Sequence, residues 1–298
     1  MQEQEHKRKS ACEIAEMQFR ALLRWKPEIL VDMGDSPAKA HVTKRIEKMD
    51  QENKIMAKLY GVGVGSGDPE LLTLKAVRLI HESDVIAVPS ETAEGAVAYR
   101  IVKKVIPKIA EKEILGIKMP MIKDKKELKT MHEQAARRII DKLDAGKQVA
   151  FLTLGDPTIY STFVYIQDVV KKEGYETELV NGIASFLSAS ARINRRLVLR
   201  DEELHIIPAT YGIHEALALK GTKVLMKAGK RMREVKELIV GSGQKAYFIE
   251  NCGMENERII EDVTQMPDCA GYYSLLIVYD CGVIGQQILY YRSRTNGG

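Results

Sequence analysis

From Lys58 onward the chain alternates short β-branched runs with stretches of helical apolar period, and no other feature limits its fold so tightly. Strands are expected at 59–64, 85–88, 114–117 and 148–154, with helices at 69–82, 93–104 and 125–143 between them. Alternation of this kind means parallel strands joined by crossover helices. A further helix at 158–172 runs into the turn KKEGYE, where a domain boundary is expected. Beyond it lie the runs TELV, LHIIPA, KVLMKA, KAYFIE and YSLLIVYD, with helices at 185–192, 212–219 and 232–239. The reading is α/β throughout: a parallel-sheet domain over 57–175 and a mixed-sheet domain over 176–298. A length of 298 residues suits two such cores with a buried site between them.

Residues 1–56 follow a different pattern. Ile14, Met17, Phe19, Leu22 and Leu23 fall near helical spacing, Pro27 and MGDSPAKAH interrupt it, and Ser36-Pro37 opens a second helix. A helical extension is expected, helix-turn-helix-like or partly disordered. Lys39, Lys44, Arg45 and Lys48 on its second helix raise the question of nucleic acid, but acids are interspersed and a solvated face is the plainer reading. The net charge of +4, from 45 basic and 41 acidic residues, does not demand a polyanionic partner either. No segment approaches the roughly 20 apolar residues of a membrane span. The basic start has no apolar stretch behind it, so the cytoplasm is the expected compartment. Cys12, Cys252, Cys269 and Cys281 lie far apart without a CxxC pair, and the six histidines share no ligand spacing, so no protein-bound metal is expected.

The stretch YGVGVGSGDPELLTLKA places glycines at 61, 63, 65 and 67, every second position. A dinucleotide fingerprint needs glycines at i, i+2 and i+5, whereas the last position is Ser66 counted from Gly61 and Asp68 counted from Gly63. The ribose-binding acid is misplaced as well, since Asp84 begins the second strand instead of ending it. No Gly-Lys-Ser/Thr follows, which excludes a P-loop. What remains is a loop whose main chain approaches a ligand closely. Asp68 then caps the helix, Pro69 is its first residue, and Glu70 lies where the helix dipole favours a carboxylate. A second strand runs into Gly155-Asp156-Pro157, with Thr158, Tyr160, Ser161 and Thr162 crowding hydroxyls behind it. Two such loops at the carboxyl edge of one parallel sheet stand where open α/β sheets bind ligands.

Taken together, YGVGVGSGDPELLTLKA, LGDPTIYST, VNGIASFLSASARI and HIIPAT resemble the tetrapyrrole (precorrin) methylases, across residues 58–298. The Gly-Asp-Pro-Glu-Leu-Leu-Thr loop is shared widely in that superfamily. GDPTIYST is most similar to the branch that methylates C20 of precorrin-2 or cobalt-precorrin-2 in cobalamin biosynthesis. Ser66 stands where the family usually has Pro, and Asn181 where a Pro-Gly-Ile/Val motif begins. The resemblance implies a C-methyltransferase of two α/β domains that holds S-adenosylmethionine (SAM) in the cleft between them, largely by main-chain groups, and releases S-adenosylhomocysteine. It implies Gly155, Asp156, Ile159 and Tyr160 against the cofactor, with Ala184 and Ser185. The strand ends Met226-Lys227, Asn251-Cys252 and Ser274-Leu275 would complete the pocket, and Gly65, Ser66, Gly67 and Asp68 would face the tetrapyrrole. A homodimer is implied too, with a small-molecule substrate and neither membrane nor nucleic acid as partner.

A sulfonium methyl is already activated and a meso carbon is electron-rich, so positioning supplies much of the catalysis and a proton is lost afterwards. No residue is singled out as the base. Asp68 and Asp156 are candidates by location, although capping is the favoured role of Asp68. The carboxylates of the macrocycle need fixed cations, for which Arg192, Arg195, Arg196 and Arg200 are candidates, with Lys118 and Lys123 behind them. Tyr272-Tyr273 and Tyr290-Tyr291 read as core or interface before stacking platforms. The alternatives on the same fold are uroporphyrinogen III methyltransferase, diphthine synthase and a ribosomal-RNA ribose methylase. From another class, a DNA-binding regulator sensing SAM or a corrinoid stays open.

Overall fold

A computed structural model of the chain describes residues 57–119, 124–209 and 212–280, together with Lys44. The expected extension over 1–56, Lys123 and the pair Tyr290-Tyr291 lie outside the described residues.

The first sheet contains β1 (Lys58–Gly63), β2 (Val85–Val88), β3 (Glu113–Gly116), β4 (Val149–Thr153) and β5 (Glu176–Val180). Their order is β3-β2-β4-β1-β5, with every pairing parallel. Parallel sheets need cover on both faces, and the uninterrupted apolar runs VIAV and VAFLT supply a face to each side; both strands are buried along their whole length. The helices α1 (Leu74–Glu82) and α2 (Val97–Val105) pack Leu79, Ile80, Ile101 and Val102 over Val62, Ile86, Ala150 and Leu152. On the other face α3 (Lys125–Asp144) and α4 (Phe163–Lys172) pack Ala136, Ile139, Phe163 and Ile166 over Leu59, Ala87 and Phe151.

β5 is the TELV run expected in the second domain. It pairs with β1 from Lys58↔Glu176 to Val62↔Val180, and the Lys58 ammonium lies 2.8 Å from Glu178. The first sheet therefore continues past the expected boundary at 175, because the composition of a short strand does not say which sheet supplies its partner. The second sheet is mixed, in the order β6-β7-β10-β8-β9. β6 (Leu204–Pro208) and β7 (Thr222–Met226) run parallel, whereas β10 (Ser274–Tyr279) is antiparallel to β7 and β8 (Lys245–Glu250). Pro208 is tolerated because β6 lies at the edge. α5 (Ser185–Arg192) covers one face; α6 (Ile213–Ala218) and α7 (Met232–Ser242) cover the other. The short edge strand β9 (Arg258–Ile260) had no sequence signal of its own.

Three expected helices begin late, the one expected from 93 at Val97. Asp68 caps only a 3-10 turn, Pro69–Leu71, by accepting from Glu70 N; the helix itself starts after Thr73, whose hydroxyl accepts from Ala76 N at 3.1 Å. The helix expected from 158 starts at Phe163, since the Asp156 carboxylate engages Thr158 and Tyr160 turns left-handed at φ 50°.

The alternate glycines of the first loop meet protein. Gly61 lies under the Phe163 ring. A Cβ at Gly63 would stand 2.5 Å from Gly182 N and 2.7 Å from Gly155 O, so three strand ends can converge there only without side chains. Gly63→Ala should destabilise the fold by about 1–3 kcal/mol or more, as overpacking against immobile backbone does. The check is the urea midpoint, and an unchanged midpoint would mean that the strand ends can separate freely.

Candidate active site

Three loops meet at the carboxyl edge of the first sheet. Gly155 N donates to Gly65 O at 2.7 Å and Gly65 N donates to Gly155 O at 3.3 Å, which joins the loops after β4 and β1. Asp156 ties in the third. Its carboxylate accepts from Thr158 N at 2.8 Å and from the Thr158 hydroxyl, and its other oxygen accepts from Asn181 Nδ2 and Gly182 N, each at 3.1 Å. Burial alone would raise the pKa of this 8 % exposed carboxyl, but the hydrogen bonds outweigh it and hold the group below the ordinary carboxylate range. Asp156 is a fixed anion that shapes the loop, with its acceptor capacity spent on protein donors.

The second domain faces these loops with its own strand ends. β7 ends in Met226 followed by Lys227 at φ 61°, and β8 is followed by Asn251 at φ 54°. Left-handed backbone costs about 1–2 kcal/mol in a residue with a Cβ, and such strain gathers at functional clefts. The Tyr160 hydroxyl donates to Ile206 O at 3.1 Å, bridging the two domains, and the Lys227 ammonium lies 5.2 Å from the centre of the Tyr160 ring. From the first loop, Gly67 packs so closely on the Cys252 carbonyl that a Cβ would come within 2.2 Å of it.

Between the domains is a cavity of about 730 Å³, within the usual range for small-molecule sites. Of the residues expected against a cofactor, Gly155, Asp156, Ile159, Tyr160, Ala184, Ser185, Met226, Lys227, Cys252, Ser274 and Leu275 all line it, while Asn251 does not. Of the first loop only Ser66 does; Gly65, Gly67 and Asp68 are turned to protein contacts. The expected arginines do not line it. Arg192 Nε donates to Glu257 at 2.7 Å, Arg195 and Arg200 are exposed, and Arg196 buries Nε and Nη2 without a hydrogen-bond partner among the described residues. The cations that line the cavity are Lys118, Lys227 and Lys230, with Lys118 2.8 Å from Glu91. Arg192 is diverted because the loop after β8 folds back and brings Glu257 to it, a meeting of residues 65 positions apart.

Several lining residues had no sequence signal as site residues. Met119 precedes α3, Leu128, Met131 and His132 stand on it, and Thr153 and Ile249 come from strand ends. On an amphipathic helix or a buried strand such residues read as core. Tyr272 and Tyr273, expected as core or interface, line the cavity and pack edge to face at 5.3 Å, exposed by 56 % and 40 %. The Cys252 thiol is pushed up to about 11, first by burial and then by the Glu257 carboxylate, and so stays protonated at neutral pH. Among the described residues no three His, Cys, Asp or Glu side chains converge on a possible metal position, and no helix is long and apolar enough to cross a membrane.

A two-domain α/β protein with a cavity built from strand ends at the domain junction has the form of a small-molecule site. Residues 58–266 match the sequence profile of the Tetrapyrrole (Corrin/Porphyrin) Methylases, and the chain belongs to that family. It is 36% identical over 236 residues to the probable cobalt-precorrin-2 C(20)-methyltransferase of Methanocaldococcus jannaschii, covering 76% of this chain and 97% of the relative. It is 27% identical to the precorrin-2 C(20)-methyltransferase of a Sinorhizobium species, over 75% of this chain and 95% of that one. The fold is shared with the uroporphyrin-III C-methyl transferase from Thermus thermophilus complexed with S-adenosyl homocysteine, at a TM-score of 0.54 and 22% identity over 75% of this chain and 97% of that one.

Asp156→Asn should lower stability at pH 7 by about 1–3 kcal/mol, because an amide would face the N–H groups that the carboxylate now satisfies. The folded-state pKa of Asp156 is depressed, so its contribution is complete above about pH 4 and is lost as the pH falls through the folded value. Urea unfolding of both proteins should show the gap narrowing below that pH; equal stability at pH 7 would remove the network from its role. Lys227→Gly should raise the thermal midpoint, by relief of up to about 1 kcal/mol of backbone strain. A lower midpoint would show that the contact with Tyr160 outweighs the strain.

Proposed function

We propose that the chain transfers a methyl group from SAM to C20 of precorrin-2 in cobalamin biosynthesis, with the cobalt-bearing pigment as its substrate. The observation that carries this reading is the convergence of Gly155, Ala184, Met226 and Leu275 around one cavity between the domains. The near full-length likeness to a probable cobalt-precorrin-2 enzyme directs the choice of substrate. The residues present fit an adenosyl sulfonium. Ile159, Ala184, Met226, Ile249 and Leu275 give apolar walls, and Thr153 Oγ1 is buried there with no hydrogen-bond partner among the described residues. Such an orphaned hydroxyl suits a polar ligand atom.

The cofactor supplies an activated methyl; the chain supplies position. Met226, Ser274 and Leu275, with Ala184 and Ser185 at the start of α5, would wall the cofactor from the second domain, and Gly155 would wall it from the first. Lys227 and Lys230 are held at the rim, where they can pair with carboxylates of the pigment, and Tyr272 and Tyr273 offer ring faces to a macrocycle. A homodimer is part of the same proposal.

The test is anaerobic incubation with methyl-labelled SAM and, side by side, metal-free and cobalt-loaded precorrin-2, read by mass spectrometry of the pigment. Label on the cobalt pigment is expected, and label on the metal-free pigment alone would reassign the substrate. No label on either, with S-adenosylhomocysteine still bound, would sink the C20 reading and leave another reaction of the family.

A further inference from the structure

Methylation of a meso carbon leaves a proton to be removed, and the residues expected for that work are committed elsewhere. Asp156 is a fixed anion under hydrogen bonds from Thr158, Asn181 and Gly182. Asp68 caps its turn and does not line the cavity. The Cys252 thiol keeps its proton at neutral pH. Lys118 is paired with Glu91, and burial raises the pKa of the Tyr273 phenol.

His132 is different. It stands on α3, 8 % exposed, and lines the cavity together with Met119, Leu128, Phe151 and Thr153. The Tyr165 ring of α4 stacks on it, with centroids 4.8 Å apart and planes within 4°. This stack fixes the plane of the imidazole. Burial lowers the pKa of the ring, which leaves it neutral and able to accept a proton at neutral pH.

We infer that His132 is the proton acceptor of the transfer, the catalytic base at C20, an assignment that rests on the function proposed above. The bond between sulfur and the methyl carbon breaks as C20 takes the methyl with an electron pair of the macrocycle. The C20–H bond then breaks, its electron pair returns to the ring system, and the proton goes to an imidazole nitrogen of His132 and on to water. The products are the thioether, the C20-methylated pigment and one proton, so no further reactant is needed. The other reading of a buried, stacked histidine is a core residue; the apolar neighbours Leu128 and Met131 fit a core, but the open cavity beside the ring does not.

The variant that separates these readings is His132→Phe, which keeps a ring against Tyr165 and fills the same space but takes no proton. It should keep the thermal midpoint, bind S-adenosylhomocysteine by calorimetry, and bind the pigment, read by its absorption change, as the wild type does. Methyl transfer should fall by about 10²–10⁴-fold, the usual worth of a positioned base. Deuterium at C20 should slow the variant and leave the wild type unaffected. Added imidazole should restore part of the rate of His132→Ala. Methyl transfer by His132→Phe within about threefold of wild type would overturn the assignment. So would a loss matched by an equal loss of pigment binding with no isotope effect, which belongs to a positioning residue. If the wild type itself labels neither pigment, the function reading fails first and the base assignment falls with it, an outcome distinct from an active wild type with an equally active variant.

Discussion

The carboxylate of Asp156 is the point from which the site is built. It sits 8 % exposed at the carboxyl edge of a parallel sheet and holds the loop after β5 through Asn181 and Gly182, while the neighbouring Gly155 pairs with Gly65 after β1. Three strand ends are thereby fixed to one another by hydrogen bonds and by backbone approaches too close for side chains. A buried carboxylate is costly unless its oxygens are satisfied, and here protein donors satisfy both. The result is a shelf of main chain braced by hydrogen bonds, and pre-organisation of this kind favours affinity by reducing ordering costs.

The second domain reaches this shelf through contacts of unequal character. Gly67 against the Cys252 carbonyl is a steric fit, Tyr160 to Ile206 O is a hydrogen bond, and Lys104 to Glu255 at 3.2 Å is an exposed ion pair worth little. The left-handed residues Tyr160, Lys227 and Asn251 lie beside the junction, so backbone strain is spent where the cleft is shaped. The chemistry assigned to the cleft asks for little else. A reactive sulfonium needs a partner held in line, and strand-end main chain, lysines and one imidazole are among the groups that line the cavity.

Much of this was legible before the structure. The strand and helix alternation located four of the five strands of the parallel sheet, and the resemblance named fewer than half of the residues that line the cavity, those whose positions follow from where strands end. The glycine loop was legible as special but not for the reason expected: its glycines serve Phe163, Gly182 and Cys252, partners that come from remote sequence. The arginines do not line the cavity, for a related cause. Their proximity to VNGIAS in sequence said nothing of Glu257, which captures Arg192 from another loop.

The sequence by itself determined the α/β class, the two Gly-Asp-Pro strand ends and the family, since all of these are written in local period, local backbone demands and contiguous motifs. Only the tertiary structure decided that TELV joins β1, that lysines and not arginines border the cavity, and that His132 faces it. Each of these depends on which distant residues become neighbours. A strand does not name its sheet, a cation does not name its counter-ion, and a histidine on an amphipathic helix reads as core until the cavity beside it is seen.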